Sequence, residues 1–532
     1  MLSDIFKPFI EASPLSVMMR GLVERLLNPE QIDQWFKQVA EEQYARNLLF
    51  STVVSLMLEV VCGSRKSVGA AYQAMEAAIP VSIQAVYDKL QGVEPAVAAE
   101  LVRYTVREGQ AILAAIEATP PGILPPGVRP AAPAGGEPAH AGERVKRLES
   151  AALPALRPNR LAQAVQAALA APVEVLPAVP SAESVLAGAA VNPGVKGVRP
   201  AVLPGYKVRI LDGNHLAATE HRLKELRSYG GGALPGQALV GYDPDLDLAI
   251  NVVPCENGHT QERALLSLLE EHLADGEVWV MDRNFCVLHW LHRIAAQPAY
   301  FVVREHEQTP FKPLAPMQEK GATETGWVAE QPLQVIDPDG QPVVWRRIRV
   351  LLHQPTRHGD EQVYIWTNLP AAVTAQTVAR LYLKRWRIET AFQHLEQDLN
   401  TEIKTLGYPR AALFGFCIGL VAYNILAVLK AALRQVHGAA VIDTQLSGYY
   451  VADEVSGTYR GMMIAIPPPE WQVFRQLTVP ELAEVLIDLA GKVHLAQFRK
   501  HPRGPKKPRP LRPFDPKHPH QATAKLLAAR RA

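Results

Sequence analysis

Val208-Arg209-Ile210-Leu211-Asp212-Gly213-Asn214 is the stretch from which the fold is read. Val208 and Ile210 alternate with Arg209 and Leu211 at the period of a β-strand, so Asp212 closes an apolar strand on its buried side. A second strand over 237–242 meets a third over 246–253 across Asp243-Pro244-Asp245, which has the composition of a hairpin turn. Residues 260–273 then read as a helix, with Thr260 placed to cap it. Glu277-Val278-Trp279-Val280-Met281-Asp282 is a fourth, short apolar strand that again ends in an acid. A helix over 285–296 and a fifth strand over 300–304 follow. The order is β-β-β-α-β-α-β, an α/β pattern with acids at the ends of its first and fourth strands.

That order is the one of a ribonuclease-H-like catalytic core, a mixed five-stranded sheet with helices. In such a core the first and fourth strands lie side by side, which brings Asp212 and Asp282 together, and a helix after the fifth strand adds a third acid. Residues 382–399 hold no Gly or Pro, and Ile388, Phe392, Leu395 and Leu399 recur at helical spacing. On that helix Tyr382, Arg385 and Glu389 share one face. Taken alone, the segment is an amphipathic helix with an ordinary i, i+4 pair between Arg385 and Glu389. Beside two strand-end acids it becomes the source of the third.

Between the fifth strand and this helix, residues 306–370 read as an inserted β-rich module with strands over 326–336, 343–352 and 362–367. Its middle strand puts Trp345, Arg347 and Arg349 on one face. That face suits phosphates and a stacked base, and equally suits a solvated strand with one packed Trp.

The chain has 532 residues, which at about 150 per domain implies three or more units. Residues 1–116 read as an all-α N-terminal domain. Within it, helices over 66–75 and 82–90 have the spacing of a helix-turn-helix, with Ser82 as cap, as would any small bundle. Residues 117–205 are a Pro/Ala-rich linker with a helical patch near 160–171. The catalytic core is expected over 206–305 and 371–440, a helical C-terminal region over 441–498, and a basic Pro-rich tail over 499–532. That tail carries a local net charge of +10, which leaves −8 for the rest of a chain whose formal charge is +2. A basic tail suits a polyanion, and a solvated terminus shares the composition.

The four cysteines, Cys62, Cys255, Cys286 and Cys417, form no C-x-x-C pair, which argues against a zinc ribbon or a disulfide framework and fits a reducing cytoplasm. His215, His221 and His259 have no zinc spacing either. The first residues lack an apolar run, so no secretory signal is expected. Residues 411–429 are apolar and long enough to span a bilayer, yet they include Gly415, Gly419, Tyr423 and Asn424 and read as a buried core helix.

Asp212-Gly213-Asn214, then Asp282-Arg283, then a β-rich insertion, then Tyr-x2-Arg-x3-Glu as Tyr382, Arg385 and Glu389 together resemble the DDE transposases of bacterial insertion sequences, in the insertion-sequence-four branch. The resemblance covers residues 206–435. It implies metal-dependent cleavage of element ends and strand transfer into target DNA. The implied ligands of two divalent ions, Mg2+ with Mn2+ able to substitute, are Asp212, Asp282 and Glu389, with Asp212 bridging. Tyr382 and Arg385 would hold DNA phosphates, aided by Lys384 and Arg387. The implied partners are the terminal inverted repeats, target DNA and a second copy of the chain as a homodimer on DNA, in the bacterial cytoplasm with no membrane. The family pattern asks for Lys seven residues after the Glu, where this chain has Glu396; Lys384, Arg387 and Lys404 are nearby cations. Rival readings are a ribonuclease-H-fold nuclease without strand transfer, a non-catalytic DNA-binding derivative that Glu396 would favour, and a membrane-associated protein anchored by 411–429.

Overall fold

The computed structural model describes residues 2–42, 47–119, 199–220, 223–227, 232–356, 359–501 and 521–531. The helical patch near 160–171 and most of the basic tail lie outside the described residues.

Seven helices open the chain: α1 (Lys7–Ala12), α2 (Pro14–Leu26), α3 (Pro29–Val39), α4 (Phe50–Val61), α5 (Val68–Met75), α6 (Ile83–Gly92) and α7 (Pro95–Ala118). Proline occupies the first turn of α1, α2, α3 and α7, where its missing N–H costs nothing. Ser82 caps α6 as expected, its hydroxyl accepting from the Ala85 N–H at 3.3 Å.

The strands are β1 (Lys207–His215), β2 (Ala233–Leu234), β3 (Gln237–Asp243), β4 (Leu248–Cys255), β5 (Glu277–Met281), β6 (Tyr300–Arg304), β7 (Lys312–Pro313), β8 (Gln318–Ala322), β9 (Gly326–Ile336), β10 (Pro342–Leu352) and β11 (Gln362–Thr367). A short helix, α8 (Leu288–Ala296), sits between β5 and β6. The sheet runs β4-β3-β1-β5-β6-β11-β10-β9-β7, with β8 beside β9. β1 pairs antiparallel with β3 and parallel with β5, and β5 pairs parallel with β6. The strands of residues 306–370 extend this sheet, because β11 pairs antiparallel with β6.

The chain then turns helical again, through α9 (Ala375–Leu383), α10 (Trp386–Gln397), α11 (Pro409–His437), α12 (Ala439–Gln445), α13 (Gly448–Ala465), α14 (Pro468–Trp471), α15 (Val473–Gln476) and α16 (Val479–Gly491). At the far end β12 (Gln521–Ala522) pairs parallel with β2 and leads into α17 (Thr523–Arg531).

β3 and β5 are buried along their whole length, as expected of strands covered on both faces. One face of the sheet shares a single apolar core with the N-terminal and C-terminal helices, and the other packs Trp279, Phe285, Trp290 and Phe301 against α8. The N-terminal helices therefore have no core of their own. α11 lies at the centre of the shared core; it is long and apolar enough to cross a membrane, and its most apolar window is wholly enclosed by protein.

Two polar groups inside these cores find partners across strands and helices. Arg209 on β1 bonds Glu277 at the start of β5 at 2.7 Å and Asp243 at the end of β3, so a buried cation is neutralised by two neighbouring strands. The β3–β4 ladder slips by one residue after Gly241. Asn424 of α11 takes up both backbone groups of Ala249 there, accepting its N–H at 2.8 Å and donating to its carbonyl at 2.9 Å. Asn424→Leu strands that pair in the core and should lower unfolding free energy by about 1–3 kcal/mol, read as a shift in urea midpoint.

The helix expected over 260–273 is a 3-10 stretch, Glu262–His272, with no side-chain cap at Gln261. The Thr260 carbonyl instead accepts from the Gln237 amide, while Leu265, Leu266 and Leu269 still face the second core.

Candidate active site

The parallel ladder of β1 and β5 ends at Leu211 opposite Met281. Asp212 and Asp282 come next, so two acids 70 positions apart in sequence stand on adjacent strands, which lie about 4.8 Å apart. Asp212 is not the end of its strand, since β1 continues against β3 as far as His215. It marks the point where β5 leaves. Asp282 caps a 3-10 turn, Arg283–Phe285, by accepting the Asn284 N–H at 2.8 Å.

The segment expected as one helix from Tyr382 to Leu399 is two. At the junction Lys384, Arg385, Arg387 and Ile388 all bond three residues back, a tightening that separates α9 from α10 at Lys384-Arg385. Tyr382, Arg385 and Glu389 nonetheless gather. The Arg385 guanidinium reaches Asp212 Oδ2 with Nη1 at 3.0 Å and Glu389 Oε1 with Nη2 at 2.8 Å, and so ties the third acid to the first. Its Nε is buried with no partner among the described residues.

Burial pushes the Asp212 carboxyl up to about 7; Arg385 opposes this, while Asp282 and Glu389 add to it. Three acids thus act on one another within a single site. Burial likewise raises the Tyr382 phenol, against Arg385 and Arg304 and with Asp282. Three carboxylates are the donor set a hard divalent cation takes, and a desolvated Asp212 favours a cation beside it. As the side chains stand, no three His, Cys, Asp or Glu among the described residues converge as ligands. The Arg385 fork spans Asp212 and Glu389.

Glu262 and Asn284 complete the site, and no sequence pattern pointed to them. Asn284 Nδ2 donates to Glu262 Oε2 at 2.6 Å, and the Glu262 carboxylate lies where a Cβ on Gly213 would be. Glu262 therefore packs against the residue after Asp212 and bonds the turn that Asp282 caps. Gly213→Ala should push the flexible Glu262 carboxylate aside and cost its bond to Asn284, about 1 kcal/mol, and should cost little further in a chain that already carries Glu262→Ala; thermal melts of the single and double variants check this.

The remaining candidates divide. Lys384 is exposed, and Arg387 turns away from Glu389 to donate from Nη1 to the Pro244 carbonyl at 3.0 Å. Trp386 is 57% exposed, with the Arg385 guanidinium 5.8 Å from its ring centre. Trp345 turns inward, packed between Phe301 and His292. Arg347 is forked by Glu305 at 2.5 and 2.8 Å, and Arg349 pairs with Glu319 at 2.9 Å. The stripe of β10 is thus one core ring and two neutralised guanidinium groups. Glu396 is exposed and, with Lys404, is one of the charges acting on Glu402. His215 and His259 are exposed; His221 lies outside the described residues.

Residues 203–425 match the transposase DDE domain family. The match covers under half of the chain, from just before β1 into α11, and contains Asp212, Asp282, Arg385 and Glu389. No curated protein matches the sequence. Among solved structures, a piggyBac transposase synaptic complex with hairpin DNA is similar at 10% identity and a TM-score of 0.29, over 51% of this chain and 56% of that one. The chain thus spans little more than half the length of that relative. The transposase DDE domain match supports a transposase reading of the segment that holds the three acids.

Proposed function

We propose that this chain is a metal-dependent DNA transposase of the insertion-sequence-four type, with β4-β3-β1-β5-β6 as a ribonuclease-H-like core. The observation that carries the reading is the bridging of Asp212 and Glu389 by Arg385, with Asp282 just past the strand paired to that of Asp212, inside a segment that matches a transposase DDE domain. Asp212, Asp282 and Glu389 would hold two divalent ions, Mg2+ or Mn2+. Bound there, the ions would supply an activated oxygen nucleophile and charge relief at the scissile phosphate.

The protein's own groups do the rest. Arg385, released from the two acids, is placed to fork a non-bridging phosphate oxygen, and Tyr382 to donate a hydrogen bond to the same backbone. Trp386, with its exposed ring beside Arg385, suits stacking on an unpaired base. The pair α5 and α6 is the proposed reader of the terminal repeats, and two element ends call for two copies of the chain on DNA.

The test is a supercoiled plasmid carrying the coding region with its native flanks, incubated with the full chain and Mg2+. Cuts at inverted repeats and joined products with a short target duplication are expected. A second reading, a non-catalytic DNA-binding derivative, is favoured by Glu396, an exposed acid where a phosphate-holding cation is expected; it gives duplex binding and no cuts.

A further inference from the structure

On the side of α10 away from Glu389 lies a cavity of about 290 Å³. Arg387 and His394 reach it from α10, Lys430 and Arg434 from α11, and Arg199 and Lys500 from flanking segments. Two acids, Asp247 and Asp443, share the lining. Asp247 sits in the β3–β4 turn with φ at 63°, a left-handed conformation that is uncommon outside Gly.

Both carboxylates are already committed. Asp247 accepts the Tyr242 and Tyr423 hydroxyls at 2.6 and 2.8 Å and Arg434 at 3.0 Å. Asp443 accepts both arms of Arg199 at 2.7 and 2.6 Å and Arg434 Nε at 2.8 Å. Burial would raise Asp247, yet Lys430, Arg434 and Arg199 hold it well below the usual carboxylate range. His394 is bonded to Asp398 at 2.6 Å.

Those pairings leave three cations in surplus. Lys430 has no hydrogen bond or ion pair among the described residues; its ammonium lies 5.6 Å from the Tyr423 ring centre, and burial lowers its pKa although Asp247 opposes this. Arg387 spends one Nη on the Pro244 carbonyl, and the Lys500 ammonium, among the described residues, meets only the Asp443 carbonyl at 3.4 Å. The N-terminus of α13, at Gly448, opens on the same space beside the Asp398 carboxylate that bonds His394, so its positive end is shared between that carboxylate and the cavity. A desolvated ammonium, a guanidinium fork with free donors and a helix N-terminus are what a tetrahedral oxyanion binds.

We propose that this cavity binds a phosphate group, held by Lys430, Arg387 and Lys500 over the start of α13. The phosphate is either one of the backbone of bound DNA or a free phosphate or small phosphate ester. The inference does not rest on the transposase reading, but it puts an anion behind the helix that carries Glu389.

The test is thermal unfolding of the full chain in sodium phosphate against sodium chloride of equal ionic strength. Phosphate should raise the midpoint of the wild type and of Asp282→Ala, and should lose that effect in Lys430→Met and in Arg387→Gln. Duplex DNA of random sequence, titrated at several salt concentrations, separates the sources. If the phosphate belongs to DNA, each variant weakens binding and lowers the salt slope by about one; if it is free, duplex binding stays as in the wild type while the phosphate response is lost. Equal midpoints in phosphate and chloride, with duplex binding and slope untouched in both variants, would overturn the proposal. So would loss of the phosphate response in Asp282→Ala, since the anion would then sit at the three acids.

Discussion

Asp282→Ala is expected to lower Mg2+-dependent cleavage of the flanked plasmid about a thousandfold or more, with duplex binding kept. A ligand to an ion that neutralises transition-state charge contributes several kcal/mol, and about 4 kcal/mol is a thousandfold in rate. Asp282 is the cleanest of the three acids to remove. Asp212 and Glu389 share Arg385, so losing either leaves a buried guanidinium half paired, whereas Asp282 gives its Oδ1 to the Asn284 N–H. Asp282→Asn keeps that acceptor and should keep the fold, yet lose cleavage as fully as Ala. Cleavage near the wild-type rate in Asp282→Asn would remove Asp282 from the chemistry.

Arg385→Gln should produce two effects of opposite sign. Cleavage should fall about a hundredfold to a thousandfold, the loss typical when one donor to a charged transition state is removed. Divalent-ion affinity should rise, because the fork that now occupies Asp212 and Glu389 is gone and the desolvated Asp212 carboxylate is left without its cation. In metal-free buffer the variant should melt below the wild type, and Mn2+ should raise its midpoint more than it raises the wild type's. A purely structural Arg385 predicts the lower melt without the larger metal response. Weaker Mn2+ binding in Arg385→Gln would contradict the competition inferred here.

The sheet was legible because its strands are short, apolar and punctuated by acids and turns. Period-two alternation around Val208 and Ile210, and the apolar run from Val278 to Met281, needed no tertiary knowledge. Their adjacency is a matter of topology, and the β-β-β-α-β-α-β order supplied it. The helix boundaries were less readable. The break at Lys384-Arg385 has no Gly or Pro to mark it; i to i+3 bonding creates it and lets Arg385 point back at Asp212 while Glu389 follows one turn later.

Long-range pairing was the blind spot. On β10, Arg347 and Arg349 look like free cations in sequence, because Glu305 and Glu319 are about 42 and 30 residues away. Glu262 belongs to no motif, and only its packing on Gly213 and its bond to Asn284 bring it to the site. The packing of the N-terminal helices meets the same limit. They are individually amphipathic, and nothing local says that α7 and α11 share one core with the sheet.

Crystals of the full chain soaked in Mn2+ decide whether the three acids form one metal centre. Anomalous scattering should place manganese among Asp212, Asp282 and Glu389, with the Arg385 guanidinium moved off both acids. Manganese absent from these three residues at a concentration that supports cleavage, with Arg385 still forking Asp212 and Glu389, would contradict the account.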